Sequence, residues 1–306
     1  MTLALLFPGQ GSQYVGMARA LAEVEPVAAA ALAEANEILG FDLTGLMANG
    51  PDDELVATKN AQPALLAHSV AVLRTVRERL GPVAFAAGHS LGEFSAHVAA
   101  GTLQFEDALR TVRRRGELMY EAGLVQPGTM AAVLGLGDEQ VEDCCARVDA
   151  GICQPANFNS EGQVVISGDL SGVEQGSDLA REAGAKKVVP LSVSGAFHSE
   201  LMSSAAGGLG EWLATVAFRD PDFPVISNVT ARPVTTGAEA RDLLVRQVTA
   251  PVRWSASIIT MVDAGVDRFL EIGPGTVLKG LNRRIARGIP CSSVGEPDDF
   301  ASLESA

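Results

Sequence analysis

Ala86-Ala87-Gly88-His89-Ser90-Leu91-Gly92-Glu93-Phe94-Ser95-Ala96 decides the fold. Small apolar residues run up to Gly88 and a helix-compatible stretch, 93–100, follows Gly92, so Ser90 stands where a strand must turn sharply into a helix. The pattern G-x-S-x-G is that of a nucleophile elbow. Its glycines mark places where neighbouring backbone comes too close for a Cβ, and the turn exposes the serine Oγ. The Leu91 amide, at the start of the next helix, is left to donate to a developing oxyanion. Alone, the pattern also fits a loop serine that caps a helix, so the rest of the chain must agree.

Working outward, 83–87 is the strand that delivers Ser90. Upstream, the strand 3–7 ends in Pro8-Gly9-Gln10-Gly11-Ser12-Gln13, which lacks the third glycine and the later acidic residue of a dinucleotide site. That turn is either a plain tight turn or brings Gln10 and its backbone beside Ser90, because functional groups gather at the carboxyl ends of parallel strands. Helical patterns occupy 16–25, 27–39 and 61–80. The last carries a stripe of Leu65, Leu66, Ser69, Val70, Leu73 and Val76, with His68 off it as a structural or surface histidine. Another amphipathic helix spans 105–121 and contains Arg113-Arg114-Arg115-Gly116. Consecutive residues point about 100° apart, so one arginine can face inward while the others stay wet, and the local pattern leaves open which.

From 128 to 193 the order changes: strand 129–136, helix 138–147, strands 152–157 and 163–167, helix 170–183, strand 187–193. This βαββαβ order is the ferredoxin-like arrangement. It predicts an α/β-hydrolase-like large domain with a parallel sheet, 1–127 and 195–306, a small domain at 128–194 inserted in it, and a ligand cleft between the two. The chain leaves the small domain through Ser194-Gly195-Ala196-Phe197-His198-Ser199. Of the four histidines, His89 should point away from the Ser90 Oγ on so sharp a turn, and His97 lies two helical turns on. His198 is the candidate base by elimination. A buried strand within 224–229, helices around 243–248 and 254–264, a strand at 268–272 and a helix through 287 complete the chain. On that last helix Lys279, Arg283 and Arg287 are four apart and form a basic face.

Composition bounds the function. With 47% hydrophobic and 20% charged residues, 306 residues can bury a sizeable core. The first residues read as a buried strand broken at Pro8 and not as a signal peptide, and no stretch reaches membrane-spanning length. The four cysteines lack metal spacing and suit a reduced cytoplasm. A net charge of −14 argues against nucleic acid as a partner. The expectation is a cytoplasmic protein, a monomer, with no membrane partner.

Five spaced motifs then converge. Phe7-Pro8-Gly9-Gln10-Gly11-Ser12-Gln13, Gly88-His89-Ser90-Leu91-Gly92-Glu93, Gly195-Ala196-Phe197-His198-Ser199, Gln247-Val248-Thr249-Ala250-Pro251-Val252-Arg253-Trp254 and Glu271-Ile272-Gly273-Pro274-Gly275 appear in the order of the malonyl-CoA:acyl carrier protein transacylase family, which includes polyketide synthase acyltransferase domains. The chain resembles that family over nearly its whole length. The resemblance implies transfer of a malonyl group from malonyl-CoA to the phosphopantetheine thiol of an acyl carrier protein through a malonyl-serine, with no cofactor. It implies Ser90 as nucleophile, His198 as general base and then acid, the Gln247 main-chain carbonyl as the group that orients that histidine, and the amides of Gln10 and Leu91 as the oxyanion hole. It selects Arg115, of the Arg-Gly pair, as the ligand of the malonyl carboxylate, and Phe197, in the G-A-F-H form, as a mark of malonyl selection. The expected substrate-binding set is Arg115, Phe197, Met119, Asn157 and His89. At Phe94 the family often has tyrosine, which leaves the chemistry undisturbed.

The chemistry asks for these residue types. A serine hydroxyl needs a positioned imidazole, fixed amides stabilise the tetrahedral oxyanion, and a forked, permanently charged arginine suits a carboxylate better than lysine does. Two other readings share part of the pattern. A serine hydrolase of thioesters or esters would not need Arg115 and would normally supply an acidic triad member. A docking module for carrier proteins would not need Ser90 and His198 together. Because carrier proteins of the family are small and acidic, docking on this acidic chain calls for a local basic face, near Lys279, Arg283 and Arg287 or else near Lys186 and Lys187.

Overall fold

The computed structural model describes residues 2–303. Among them two sheets organise the chain. The strands are β1 (Leu3–Phe7), β2 (Val83–Gly88), β3 (Gly128–Leu134), β4 (Cys153–Ser160), β5 (Gln163–Asp169), β6 (Lys187–Pro190), β7 (Val225–Ile226), β8 (Pro233–Val234), β9 (Arg268–Ile272) and β10 (Cys291–Val294). The larger sheet has the order β10-β9-β1-β2-β7-β8, parallel throughout except for β8 at its edge. β1 is buried at every residue, as a strand covered on both faces must be, and its unbroken apolar run made it legible. The smaller sheet, β4-β5-β3-β6, is antiparallel at every pairing. With the helices Asp138–Ala146 and Leu170–Glu182 it forms the expected ferredoxin-like unit.

β1 and β2 end side by side, with Phe7 opposite Gly88, so the Gly9-Gln10 turn and the Ser90 elbow share one edge of the sheet. The elbow glycines act as expected. A Cβ on Gly88 would lie 1.8 Å from the Gly92 carbonyl carbon, and one on Gly92 would lie 2.0 Å from the Phe7 oxygen. The helix Gly92–Ala99 then leaves from directly above the end of β1.

The helix Thr58–Val76 is buried around almost its whole circumference, so the stripe seen in sequence is part of an all-round buried surface. His68 is therefore wholly buried and not at the surface. The helix Phe105–Val125 crosses it at Gly116, where a Cβ would meet the Lys59 Cα and the Thr58 oxygen at 2.7 Å. This contact of bare backbone presses the preceding residue, Arg115, into the interior.

Several boundaries differ from expectation. The first helix starts only at Arg19, after Gly16 at φ 103°. β6 ends at Pro190, which has no N–H for the ladder, and Leu191–Ser194 turn off to line the cleft. Short helices Leu43–Asn49 and Asp52–Val56, and the glycine-rich Ser203–Leu213, escaped the sequence reading. The helix expected around 243–248 is Gly237–Arg246, which places Gln247 just past its end. The last α-helix is Val277–Ile285, so Arg287 lies in the following turn, and the basic face on the helix is Lys279 with Arg283.

Candidate active site

Ser90 sits at φ 51°, the left-handed conformation that an elbow imposes, and His198 sits at φ 58°. Two strained non-glycine residues thus meet at one point. The Ser90 Oγ lies 2.8 Å from the His198 Nε2. On the far side of the ring, Nδ1 lies 2.9 Å from the Gln247 main-chain oxygen and 3.1 Å from that of Ala250. Carbonyl oxygens only accept, so Nδ1 carries the proton and Nε2 faces the serine as an acceptor. Burial, with the Arg115 charge adding to it, pushes the His198 imidazole down to about 3, so it is neutral at pH 7.

Arg115 is 1% exposed. Its Nη1 donates to the Gln62 Oε1 at 2.8 Å, and its Nη2 donates to the Gln247 Oε1 at 2.9 Å and to the Ser90 Oγ at 3.2 Å. The guanidinium carbon stands 5.6 Å from the centre of the Phe94 ring, and Nε has no hydrogen-bond partner among the described residues. Desolvation draws its pKa down to about 10, against the opposing charge of Glu93, so it stays positive at neutral pH. Among the described residues no carboxylate is within ion-pairing distance of it. Arg113 and Arg114 both pair with Glu117 on the outer side of the helix, so Arg115 is the inward arginine of the three.

Behind these groups lies a polar network that sequence reasoning missed. Glu93 is buried, and its Oε2 accepts from the Gln247 Nε2 at 2.6 Å and from the Asn228 N–H at 3.2 Å. Because Nε2 is held by Glu93, the Gln247 Oε1 is turned toward Arg115. Burial raises Glu93 to about 7, against the pull of these hydrogen bonds and of the Arg115 charge. Asn228 accepts the Ser90 N–H at 2.7 Å and donates to the Gly88 oxygen at 2.7 Å, tying the elbow to the end of β7. Of Gln62, Glu93 and Asn228, only Glu93 carried a signal in sequence, a charge just inside the buried helix that follows the elbow.

A cavity of about 830 Å³ opens over the serine. It is lined by Ser90, His198, Arg115, Gln10, Leu91, His89, Met119, Asn157 and Phe197, so the expected set comes together, and by Met130 and Leu191–Ser194 from the smaller sheet and its exit. Of that set Gln247 alone stands behind the wall, fully buried. The Gln10 side chain donates to the Thr58 Oγ1 at 3.2 Å at the edge of the cavity. As expected, the His89 ring turns away from the serine: Nε2 meets the Asn159 Oδ1 at 2.8 Å and the ring packs on Trp254 at 5.6 Å. Among the described residues no group of three or more His, Cys, Asp or Glu side chains could hold a metal ion, and no helix is long and apolar enough to cross a membrane.

A family model described as an acyl transferase domain matches residues 4–296. The malonyl CoA-acyl carrier protein transacylase of Bacillus subtilis strain 168 is 47% identical over 298 residues, covering 97% of this chain and 94% of that one. The chain belongs to this family. The Escherichia coli K12 protein of the same name is 44% identical over 301 residues, 98% of this chain and 97% of its own. In structure, the acyl carrier protein S-malonyltransferase of Vibrio cholerae matches with a TM-score of 0.95 at 42% identity, over 99% of this chain and 100% of that one. A malonyl-transacylase solved in complex with a holo type II PKS acyl-carrier protein matches with a TM-score of 0.96 at 42% identity, over the full length of both. The resemblance drawn from the five motifs is therefore borne out, and with it the pairing of a large α/β domain with a ferredoxin-like unit.

Proposed function

We infer that the protein is a malonyl-CoA:acyl carrier protein S-malonyltransferase, which passes malonyl groups to a carrier protein for fatty-acid or polyketide synthesis by way of a malonyl ester on Ser90. The observation that carries the reading is the buried Arg115 guanidinium, which touches the Ser90 Oγ and pairs with no carboxylate of the described chain. A buried cation with no carboxylate in contact is costly, since Glu93 reaches Arg115 only through the Gln247 amide, and a substrate that brings its own carboxylate reduces that cost. An ester or thioester hydrolase has no use for such a group, and acetyl-CoA would leave it unpaired.

In the first half-reaction the Ser90 hydroxyl gives its proton to the His198 Nε2 as Oγ attacks the thioester carbonyl. The oxyanion is held by the main-chain N–H groups of Gln10 and Leu91. Collapse expels the CoA thiolate, which takes the proton from Nε2 and leaves malonyl-Ser90. In the second half the carrier's phosphopantetheine thiol gives its proton to Nε2 and attacks the ester, and the serine oxygen leaves with that proton. The Arg115 charge opposes protonation of His198, so a carboxylate bound to Arg115 also strengthens the base. Malonyl therefore promotes its own transfer as well as its binding.

Met119, Phe197, Asn157 and His89 shape the pocket for the acyl chain in this reading, and residues 128–194 are a small domain that closes over the large one, 1–127 and 195–306. The side chains and amides present supply nucleophile, base and oxyanion donors, so the reaction calls on no cofactor. The free thiols suit a cytoplasmic setting. Carrier docking falls on Lys279 and Arg283, with Arg287 beyond the helix end. The test is intact mass. Malonyl-CoA alone should add one malonyl group, mapped to Ser90, and a holo carrier protein should remove it. A label on any other residue, or loss of the label to water as fast as to carrier, would overturn the reading.

A further inference from the structure

Two thiols face each other in the ferredoxin-like unit, away from the acyl site. Cys145 is in the last turn of the helix Asp138–Ala146 and Cys153 opens β4, and their Sγ atoms are 3.7 Å apart. Both line an open cleft of about 330 Å³ together with Gln154 and Arg253, so a small solute can reach them. Behind Cys153 the helix Leu170–Glu182 presents Gly176, where a Cβ would lie 2.6 Å from the Cys153 Sγ. The sulfur is thus backed by bare helix and held toward its partner. Either sulfur can donate in that contact, and the hydrogen bond lowers the pKa of one thiol at the expense of the other. Cys153 is the less buried of the two, so it is the thiol that an oxidant in the cleft meets first.

The next residue along β4, Gln154, reaches the His198 turn. Its Nε2 donates to the His198 main-chain oxygen at 3.4 Å, and its Oε1 accepts the Glu200 N–H at 3.2 Å. A disulfide needs the sulfurs about 2.05 Å apart, so closing the gap must displace the start of β4 or the end of the facing helix. We propose that Cys145 and Cys153 form a reversible dithiol–disulfide site, oxidised by hydroperoxide, whose closure shifts Gln154 and loosens the turn that carries His198.

The chemistry balances with hydroperoxide as oxidant. The Cys153 thiolate attacks the terminal oxygen, the O–O bond breaks, and the departing oxyanion takes a proton, leaving a sulfenic acid. The Cys145 sulfur, losing its proton, attacks that sulfur, the S–O bond breaks, and hydroxide leaves as water. Two thiols become one disulfide, and ROOH becomes ROH and water.

The full-length reduced protein is treated with hydrogen peroxide and weighed intact. The expected mass falls by about 2 Da, for the two hydrogens lost, and returns with dithiothreitol. Trypsin cuts after Arg147, between the two cysteines, so the oxidised protein should yield linked peptides 116–147 and 148–181. The link should survive Cys144→Ser and vanish in Cys145→Ser, which should instead trap a dimedone-reactive sulfenic acid on Cys153. An unchanged mass, or a link through Cys144, would overturn the site whatever the enzyme's substrate proves to be. Malonyl transfer, which rests on the function proposed above, should fall several-fold on oxidation and recover on reduction. In Cys145→Ser it should start at the parental rate. Oxidised protein that transfers at the reduced rate would overturn the coupling to His198.

Discussion

The two sheets contribute to the cavity in different ways. The parallel sheet places Ser90 through an elbow in which glycine backbones touch, and the surrounding groups, Asn228, Glu93 and Gln247, are buried and bound to one another. The antiparallel sheet supplies Met130 and Asn157 as wall, and the chain leaving it supplies Leu191–Ser194 without regular pairing. The reacting atoms are thus held where the backbone is over-determined. The wall comes instead from the second sheet and from a stretch outside regular pairing.

That contrast can be broken most directly at the elbow side. His198→Ala should lower single-turnover acylation by malonyl-CoA by several orders of magnitude, because base and nucleophile act as a unit. Near-normal acylation would mean that the imidazole at 2.8 Å is not the base. Arg115→Ala should raise the barrier for malonyl-CoA by ~2–4 kcal/mol, the loss expected of a charge-assisted bidentate pair, and make acetyl-CoA relatively better. Equal losses with both substrates would reduce Arg115 to a structural role. On the wall side, Met130→Ala should change KM for malonyl-CoA by no more than ~1–2 kcal/mol and leave kcat nearly intact, as loss of uniform binding does. A large fall in kcat there would erase the difference between the two sheets.

Protons sharpen the same comparison. Burial holds His68 at about 4 and His97 and His198 at about 3, below the 6.5 of the unfolded chain. The unfolded state therefore binds more protons as pH falls below 6.5, and the stability held by the neutral rings is lost in that direction. Glu93 and Glu271, raised by burial to about 7 from 4.5, have the opposite sign: they lose stability as pH rises from 4.5 to 7. Between 4.5 and 6.5 the two glutamates offset only part of this, because burial lowers His89 as well and four histidines then stand against two carboxyls. Below 4.5 only the histidines still act, joined by Asp42 and Asp169, whose carboxylates accept main-chain N–H bonds that hold their pKa low. Melting temperature should therefore fall gently from pH 6.5 to 4.5 and steeply below it, and a fall as steep above 4.5 as below it would contradict the raised pKa of Glu93 and Glu271. The smallest effect expected is at the helix Val277–Ile285, proposed above as the docking site. Lys279→Glu with Arg283→Glu should raise KM for the carrier protein in a salt-dependent way and spare acylation by malonyl-CoA. Unaltered transfer at low salt would remove that helix from the contact.

The sequence carried the frame well because the frame is periodic. Leu3–Phe7 is an apolar run closed by Pro8, Arg268–Ile272 is a short strand closed by Gly273, and the βαββαβ order follows from alternation of periods two and 3.6. What stayed hidden depends on distance in sequence. Arg115 meets Gln62 across 53 residues and Gln247 across 132, and no local pattern states which amide will face which charge. The end of the last helix was misjudged for a related reason: spacing of four carries Arg287 onto the helix face, but the chain turns after Ile285. The resemblance to a family supplied Arg115 and Gln247, yet it did not supply Glu93, which decides how the Gln247 amide is turned.

The His198 imidazole, the base in the proposed reaction, is oriented by main-chain oxygens of Gln247 and Ala250, where a triad would use a carboxylate. A carboxylate belongs to one codon and a single base change can delete it, whereas a carbonyl belongs to whatever amino acid stands at the position. A replacement at 247 would therefore remove the amide that joins Glu93 to Arg115 and spare the acceptor that fixes the imidazole. Substrate reading and proton transfer are thus separately heritable at one residue. A replacement at 247 can alter the first, while at that position the second changes only if the chain between Arg246 and Pro251 is rerouted.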